Sequence, residues 1–262
     1  MNLSFILPVY NAQDFIKDSL KKLTDFIQEI EYLERIQIIL VNDGSKDDTL
    51  KKIQEFISNF NTLPNEKEIY FTLVSYEQNK NIGFAIKEGI KKVDNEIVLI
   101  MDCDLPFKLD IIAKGLNLIA QYDLVSVDRT KNKESYKVSF FRLILHKGLI
   151  KIIKLIFGKY VFGIPDFVAG FKIIRTDKLK NIEKYLISNT SLVHFEILLW
   201  ANLMSYKICF VTPILEESTN KFSTYSLKKI FFTIIKIIFE LIFIRLNLQK
   251  IAKDVKKNER QD

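Results

Sequence analysis

A chain of 262 residues with 48% hydrophobic content can bury one substantial core, and eight Gly and five Pro leave little room for long disordered tracts. Two cysteines, Cys103 and Cys209, and only two histidines exclude a disulfide framework, a Cys-rich metal site and a zinc site. The net charge of +7 comes from lysines set beside apolar segments in the second half, without the aromatic interleaving of a nucleic-acid binder, so no nucleic acid and an anionic membrane surface are the expected partners.

No charged-then-apolar leader precedes the first strand, which gives a cytoplasmic expectation. Strand 2–8 runs into Pro8-Val9-Tyr10-Asn11 and a helix over 12–30. Strand 36–41 then runs into Asn42-Asp43-Gly44-Ser45, with Ser45, Asp47 and Asp48 marking the start of a helix over 47–58. A flexible loop is expected over 59–67, followed by strand 70–75 and a helix over 83–93 that opens on Asn81-Ile82-Gly83-Phe84-Ala85. Strand 96–101 ends in Asp102-Cys103-Asp104, and helix 109–121 and strand 123–127 complete a series of βαβ units with a mostly parallel sheet.

Beyond residue 130 the pattern changes. Over 139–157 a helical period puts Arg142, His146, Lys147, Lys151 and Lys154 on one half of the wheel and Phe141, Leu145, Leu149, Ile152 and Ile156 on the other. A strand over 167–174, helices near 177–187 and 192–204 and a strand near 206–212 follow. The final helix, roughly 227–253, carries Lys236, Glu240 and Arg245 within its apolar span; a spanning helix needs about 20 predominantly apolar residues, so this one is expected to lie on a bilayer, the alternative being a helix packed on the domain or on a second copy. The domain reading is a catalytic domain over 1–225 and a C-terminal membrane-associating or dimerising amphipathic helix over 226–262.

Three apolar strands thus end in polar loops on one side of an open α/β sheet, where ligands bind outside the carboxyl ends of the strands. Asp102 and Asp104 bracket one residue, an arrangement that lets a divalent cation bridge two carboxylates to a diphosphate, as in a bound nucleotide-sugar. Asp43 is placed to accept from a nucleobase N–H, Pro8 and Tyr10 to wall the base and ribose, and Gly83 to let backbone approach a ligand. Asn-Ile-Gly-Phe-Ala lacks the three-glycine spacing of a dinucleotide fingerprint, which argues against an oxidoreductase. Pro8-Val9-Tyr10-Asn11-Ala12 is not the Gly-rich basic loop of a nucleotidyltransferase, and a non-catalytic membrane-surface module leaves the three acids unexplained.

Pro8-Val9-Tyr10-Asn11, Val41 to Thr49, Asn81 to Ala85 with Gly89, and Asp102 to Leu105 occur in an order and spacing that resemble the family 2 inverting glycosyltransferases of the GT-A fold. Asp128-Arg129, Arg142, Pro165-Asp166, Ala169 to Lys172, His194-Phe195-Glu196 and Pro213 extend the likeness to the dolichyl- and polyprenyl-phosphate mannose or glucose synthase branch. The resemblance implies a UDP- or GDP-linked nucleotide-sugar donor bound in part by Pro8, Tyr10, Asn11 and Asp43, with Asp102 and Asp104 as the Mg²⁺ or Mn²⁺ ligands. It implies a polyprenyl phosphate acceptor held by Arg129 and Arg142, with His146 adding a contact, at the cytoplasmic face of the cell membrane. Three departures accompany it: Asn42 stands where a second Asp is usual, Pro106 replaces a Gln, and Ser218 and Thr224 occupy basic positions near the diphosphate, leaving Lys221 to reach in. A hydroxyl acceptor, in cell-surface polysaccharide or glycolipid synthesis, would need a general base, for which Glu196 and Asp166 are the candidates.

Overall fold

In the computed structural model, residues 1–60, 67–131, 140–216 and 227–258 are described. The loop expected over 59–67 falls largely outside them, and the segment that carries Lys221, Ser218 and Thr224 falls wholly outside.

The second strand, β2 (Arg35–Asp43), is buried along nearly its whole length, as a strand covered on both faces must be. Its side chains alternate between two cores. Ile36, Ile38 and Leu40 enter one cluster with α1 (Ile16–Glu29) and α4 (Asp110–Leu118), while Ile39 and Val41 enter the other with α3 (Ile82–Ile90) and α7 (Val193–Leu203). β2 pairs in parallel with β1 (Asn2–Val9) and β3 (Glu68–Tyr76), with α2 (Thr49–Asn59) between β2 and β3 in the chain. β1 also pairs in parallel with β4 (Ile97–Ile100). With β5 (Leu124–Val127), β6 (Lys172–Arg175) and β7 (Ile208–Val211), the seven-stranded sheet runs β3-β2-β1-β4-β6-β5-β7. Only β6 breaks the parallel order, running antiparallel to both β4 and β5.

Two expected elements are shorter than the sequence pattern suggests. The first helix starts at Ile16 rather than at residue 12, because the amides of Asn11, Ala12 and Gln13 donate to Ser45 Oγ, Thr49 Oγ1 and Asp47 Oδ2 of the next loop. Ser45 is consumed in that contact and does not cap α2, which begins at Thr49. The strand expected over 167–174 is regular only from Lys172, which pairs with Ile100, the last residue of β4, and with Ser126 of β5; Phe167, Ala169 and Phe171 are buried outside the ladder.

After β5, helix α5 (Phe140–Phe157) anchors by Ile153 and Phe157, and α6 (Thr176–Glu183) follows β6. The last helix, α8 (Leu227–Asn258), sets Leu241, Ile244, Leu248, Ile251 and Val255 into the same core as Ile6 and Ile100. That alternating three-four spacing is a seam, each side chain of which contributes about 2 kcal/mol by burial. One face of the C-terminal helix is therefore packed on the sheet domain. Among the described residues no helix is long and apolar enough to cross a membrane.

Candidate active site

The loops after β1, β2 and β3 are fastened to one another. Asn11, at φ 49°, accepts from the Lys46 amide at 2.9 Å through Oδ1, and Asp48 N donates to Gln13 Oε1 at 2.9 Å. Asn11 thus works as a crosslink between two loops, where the sequence reading had it touching the donor. Pro8 is half-buried and Tyr10 is 45% exposed at the same edge, so both present surface that a ring can stack on.

Asp43 ends β2 level with Tyr10, one place beyond the Val9–Asn42 pair. It is 3% exposed, and its carboxylate accepts from Lys80 N at 2.7 Å and Asn79 Nδ2 at 2.9 Å. Burial raises its pKa, against the opposing pull of these donors. Lys80 reaches over the rings of Phe84 and Tyr76, at 4.5 and 5.5 Å. The carboxylate expected to read a nucleobase is turned onto the Asn79 side chain and the Lys80 amide and organises the third loop.

Asp102 and Asp104 lie across β1 from Asp43. Met101 N still bonds Ile6 O, so the register carries Asp102 to the level of Pro8, with Asp43 and the Asp102 loop on one sheet edge about 10 Å apart, two strand spacings. A turn closed by Leu105 N on Asp102 O, with Leu105 at φ 48°, leaves Asp104 exposed and Asp102 half-buried. The Asp102 carboxyl is pushed up to about 6, first by desolvation and then by Asp104, with Arg129 and Lys172 pulling the other way. Gly170 lies directly under it: a methyl group at this position would overlap the Asp102 carboxylate.

Beneath the pair is a buried set of charges from the second half of the chain. Arg129 donates to Asp166 from Nε at 2.6 Å and from Nη2 at 2.9 Å; Asp166 is fully buried and the Arg129 side chain is 23% exposed. Lys172, fully buried in β6, donates to Ala169 O at 2.7 Å, and desolvation lowers its pKa to about 7 against the pull of Asp166 and Asp102. His194 is held neutral by burial and by the positive charge of Lys172 and Arg129. The sequence motifs contained these residues without revealing that Asp166 grips Arg129 or that Lys172 lies below Asp102. A lysine heading an apolar strand, in Phe171-Lys172-Ile173-Ile174, is the signal that points to it. The side chains of Arg142 and His146 lie outside the described residues.

Two expected roles are corrected. Gly83 does not open backbone to a ligand; its amide donates to Asn189 O at 2.9 Å, and a Cβ there would stand 2.6–2.7 Å from the backbone of residues 188–190. The close approach is made by the chain's own loop. Glu196 is fully buried and accepts from Ile187 N at 3.0 Å and Ser188 N at 2.7 Å, which fixes that same loop and keeps the carboxylate from any acceptor hydroxyl. Its carboxyl is pushed up to about 7, chiefly by desolvation. Lys87 and Glu240 complete the node, through Asn189 Oδ1 and the Ser188 and Thr190 hydroxyls.

Among the described residues no group of three or more His, Cys, Asp or Glu is placed to hold a metal ion. Two neighbouring carboxylates, one of them raised by the other's charge, still suit a cation that takes its remaining oxygens from a diphosphate and water. A depression of about 680 Å³ between α1 and the start of α4, lined by Lys21, Lys22, Phe26, Lys108 and Glu216 among others, contains none of these residues.

Several known proteins are similar to this chain in sequence or in fold. The chain is 23% identical over 185 residues to the dolichol-phosphate mannosyltransferase of Pyrococcus furiosus, covering 70% of this chain and 49% of that one. It is 34% identical over 102 residues to the poly-beta-1,6-N-acetyl-D-glucosamine synthase of Staphylococcus epidermidis, covering 39% and 21%. The chain thus spans about half the length of the first relative and a fifth of the second. In fold it matches glucosyl-3-phosphoglycerate synthase from Mycobacterium tuberculosis in complex with UDP, with a TM-score of 0.60 at 16% identity over 93% of this chain and 80% of that one. Another crystal structure of that synthase holds Mn²⁺ together with UDP and glucosyl-3-phosphoglycerate (TM-score 0.56, 14% identity, 84% of this chain and 73% of that one). The model of glycosyl transferase family 2 matches residues 4–183, and the chain, an α/β protein of the GT-A fold, belongs to that family.

Proposed function

We propose that the chain transfers a hexosyl unit from a UDP- or GDP-linked sugar to a polyprenyl phosphate, with inversion at the anomeric carbon, at the cytoplasmic face of a membrane. The observation that carries this reading is the pairing of Asp102 and Asp104 at the carboxyl end of β4, one strand from the exposed Tyr10 and half-buried Pro8. Asp104 and Asp102 would hold Mg²⁺ or Mn²⁺, which offsets the charge that builds on the leaving nucleoside diphosphate. Pro8 and Tyr10 wall the base, and Asp43, by ordering residues 79–80, shapes the rim beside them.

On the acceptor side, Arg129 is held rigid by Asp166 and supplies positive charge next to the Asp102 carboxyl. Arg142 keeps the role its motif position implies, toward the acceptor phosphate, and Lys221 serves the diphosphate from a position beside the basic motif positions that Ser218 and Thr224 occupy. A phosphate monoester has a second pKa of about 6, so it attacks without a strong base and positioning carries most of the rate.

A hydroxyl acceptor is the second reading, favoured by the likeness to the polysaccharide synthase. It asks for a base, and both candidates, Glu196 and Asp166, are fully buried and engaged by donors of the protein. The test is a panel of nucleotide-sugars offered with undecaprenyl phosphate or with hydroxyl-bearing glycans, scored by release of UDP or GDP. Release that depends on the lipid phosphate supports the proposal; release that depends only on a glycan overturns it.

A further inference from the structure

Helices α5 and α8 each use one face inside the molecule and leave another uncovered. Opposite its buried seam, α8 exposes Phe239 (68%), Ile242 (47%), Phe243 (53%) and Leu246 (73%). Leu155 at the end of α5 and Phe162 in the following turn are both 86% exposed. The two helices lie together, since Arg245 Nε donates to Ile156 O at 3.0 Å, so these side chains belong to adjoining elements.

The charge around them is predominantly positive. Lys151, Lys154 and Lys159 are exposed on α5 and the turn, and Lys236, Lys250 and Lys253 on α8. At about 100° per residue, those last three fall on the side of Phe239 and Phe243, at the two ends of the apolar stretch. No acidic residue occurs from 140 to 165. On α8 the acids are Glu240, whose carboxylate is turned inward to the hydroxyls of Ser188 and Thr190, and the exposed Asp254 beside Lys253.

We infer that this joint surface seats the protein on an anionic lipid bilayer, with the aromatic and aliphatic side chains at the headgroup boundary and the lysines on the lipid phosphates. A second copy of the chain is the poorer occupant, because pairing like faces sets six exposed lysines against their equals with Asp254 the one exposed acid of these two helices and their turn, among the described residues, to answer them. The bilayer is met and not crossed: the inward face of α8 is committed to the core.

The experiment uses the full chain with vesicles alone, without donor or acceptor, so that docking is read separately from turnover. Flotation with phosphatidylcholine vesicles is compared with flotation with vesicles that also contain phosphatidylglycerol, at low and high salt. The protein is expected to float with the anionic vesicles, less at high salt, and at least about tenfold less with phosphatidylcholine alone. Phe243→Ser with Leu246→Ser, both exposed, and Lys250→Glu with Lys253→Glu should each lower flotation about tenfold while the melting temperature and circular dichroism stay put. Absence of flotation with either vesicle, or flotation unchanged in both double variants, overturns the inference. So does a dimer seen by light scattering that Leu246→Ser abolishes while vesicles go unbound. Docking without any sugar transfer to lipid phosphate would leave this surface standing and sink the proposed acceptor alone.

Discussion

The two sides of the sheet edge are built differently. The loops after β1, β2 and β3 are tied by hydrogen bonds between short polar motifs, such as Asn11 with Lys46 and Asp43 with Asn79 and Lys80. Asp102 instead stands over charges brought from 27 to 70 residues further along the chain, Arg129 through Lys172, and over the bare backbone of Gly170. The first side is held mostly by backbone amides and neutral side chains around one buried carboxylate, Asp43; the second packs several buried ions against one another, where removing one partner strands the other.

That contrast predicts where the molecule breaks most easily. Asp166→Ala leaves the Arg129 guanidinium without its bidentate carboxylate and should cost about 3 kcal/mol in urea unfolding. Asn11→Ala, which frees one exposed amide, should cost under about 1 kcal/mol in the same assay. Equal losses at the two sites would erase the distinction. On activity the acidic pair dominates: Asp104→Asn should lower sugar transfer by at least about a hundredfold, or ~2.7 kcal/mol of barrier, with the melting temperature unchanged. Tyr10→Ala should cost about tenfold, mostly in KM for the donor, because it removes stacking surface and no charge.

Much of the donor edge was legible because its signals are local. An apolar run followed by Pro-Val-Tyr-Asn, Asn-Asp-Gly-Ser or Asp-Cys-Asp states both the strand and the loop that ends it, and the sheet then gathers the loops. What could not be read was which distant group each loop residue would meet. Asp43 and Asn11 were assigned to a ligand and are engaged by neighbouring loops; Gly83 was assigned to a ligand and faces residues 188–190. Glu196 was a candidate base by residue type and motif, and neither signal carried its burial on the amides of Ile187 and Ser188. The last helix was read as amphipathic from its charges; its inward seam of Leu241, Ile244 and Leu248 was present in the spacing, masked by an equally apolar outer face.

Glu196 gives the smallest and sharpest test of that correction. Its carboxyl is pushed up to about 7 from the ordinary 4.5, so between these values the folded protein binds more proton than the unfolded chain. Its stabilising contribution is full below pH 4.5 and is lost as pH rises through about 7. The difference in urea midpoint between the protein and Glu196→Gln should therefore shift across that window, and Glu196→Gln should keep transfer activity. Loss of activity in a variant that remains folded would return Glu196 to the chemistry.

The central claim is that the acids after β4 hold a cation-bridged nucleoside diphosphate. Calorimetric titration of UDP and GDP with and without Mn²⁺, on the protein and on Asp102→Asn with Asp104→Asn, tests it most directly. The account predicts binding of one of the two nucleotides that needs Mn²⁺ and disappears in the double variant. Binding indifferent to both the metal and the two carboxylates, or no binding of either nucleotide with Mn²⁺ present, would contradict it.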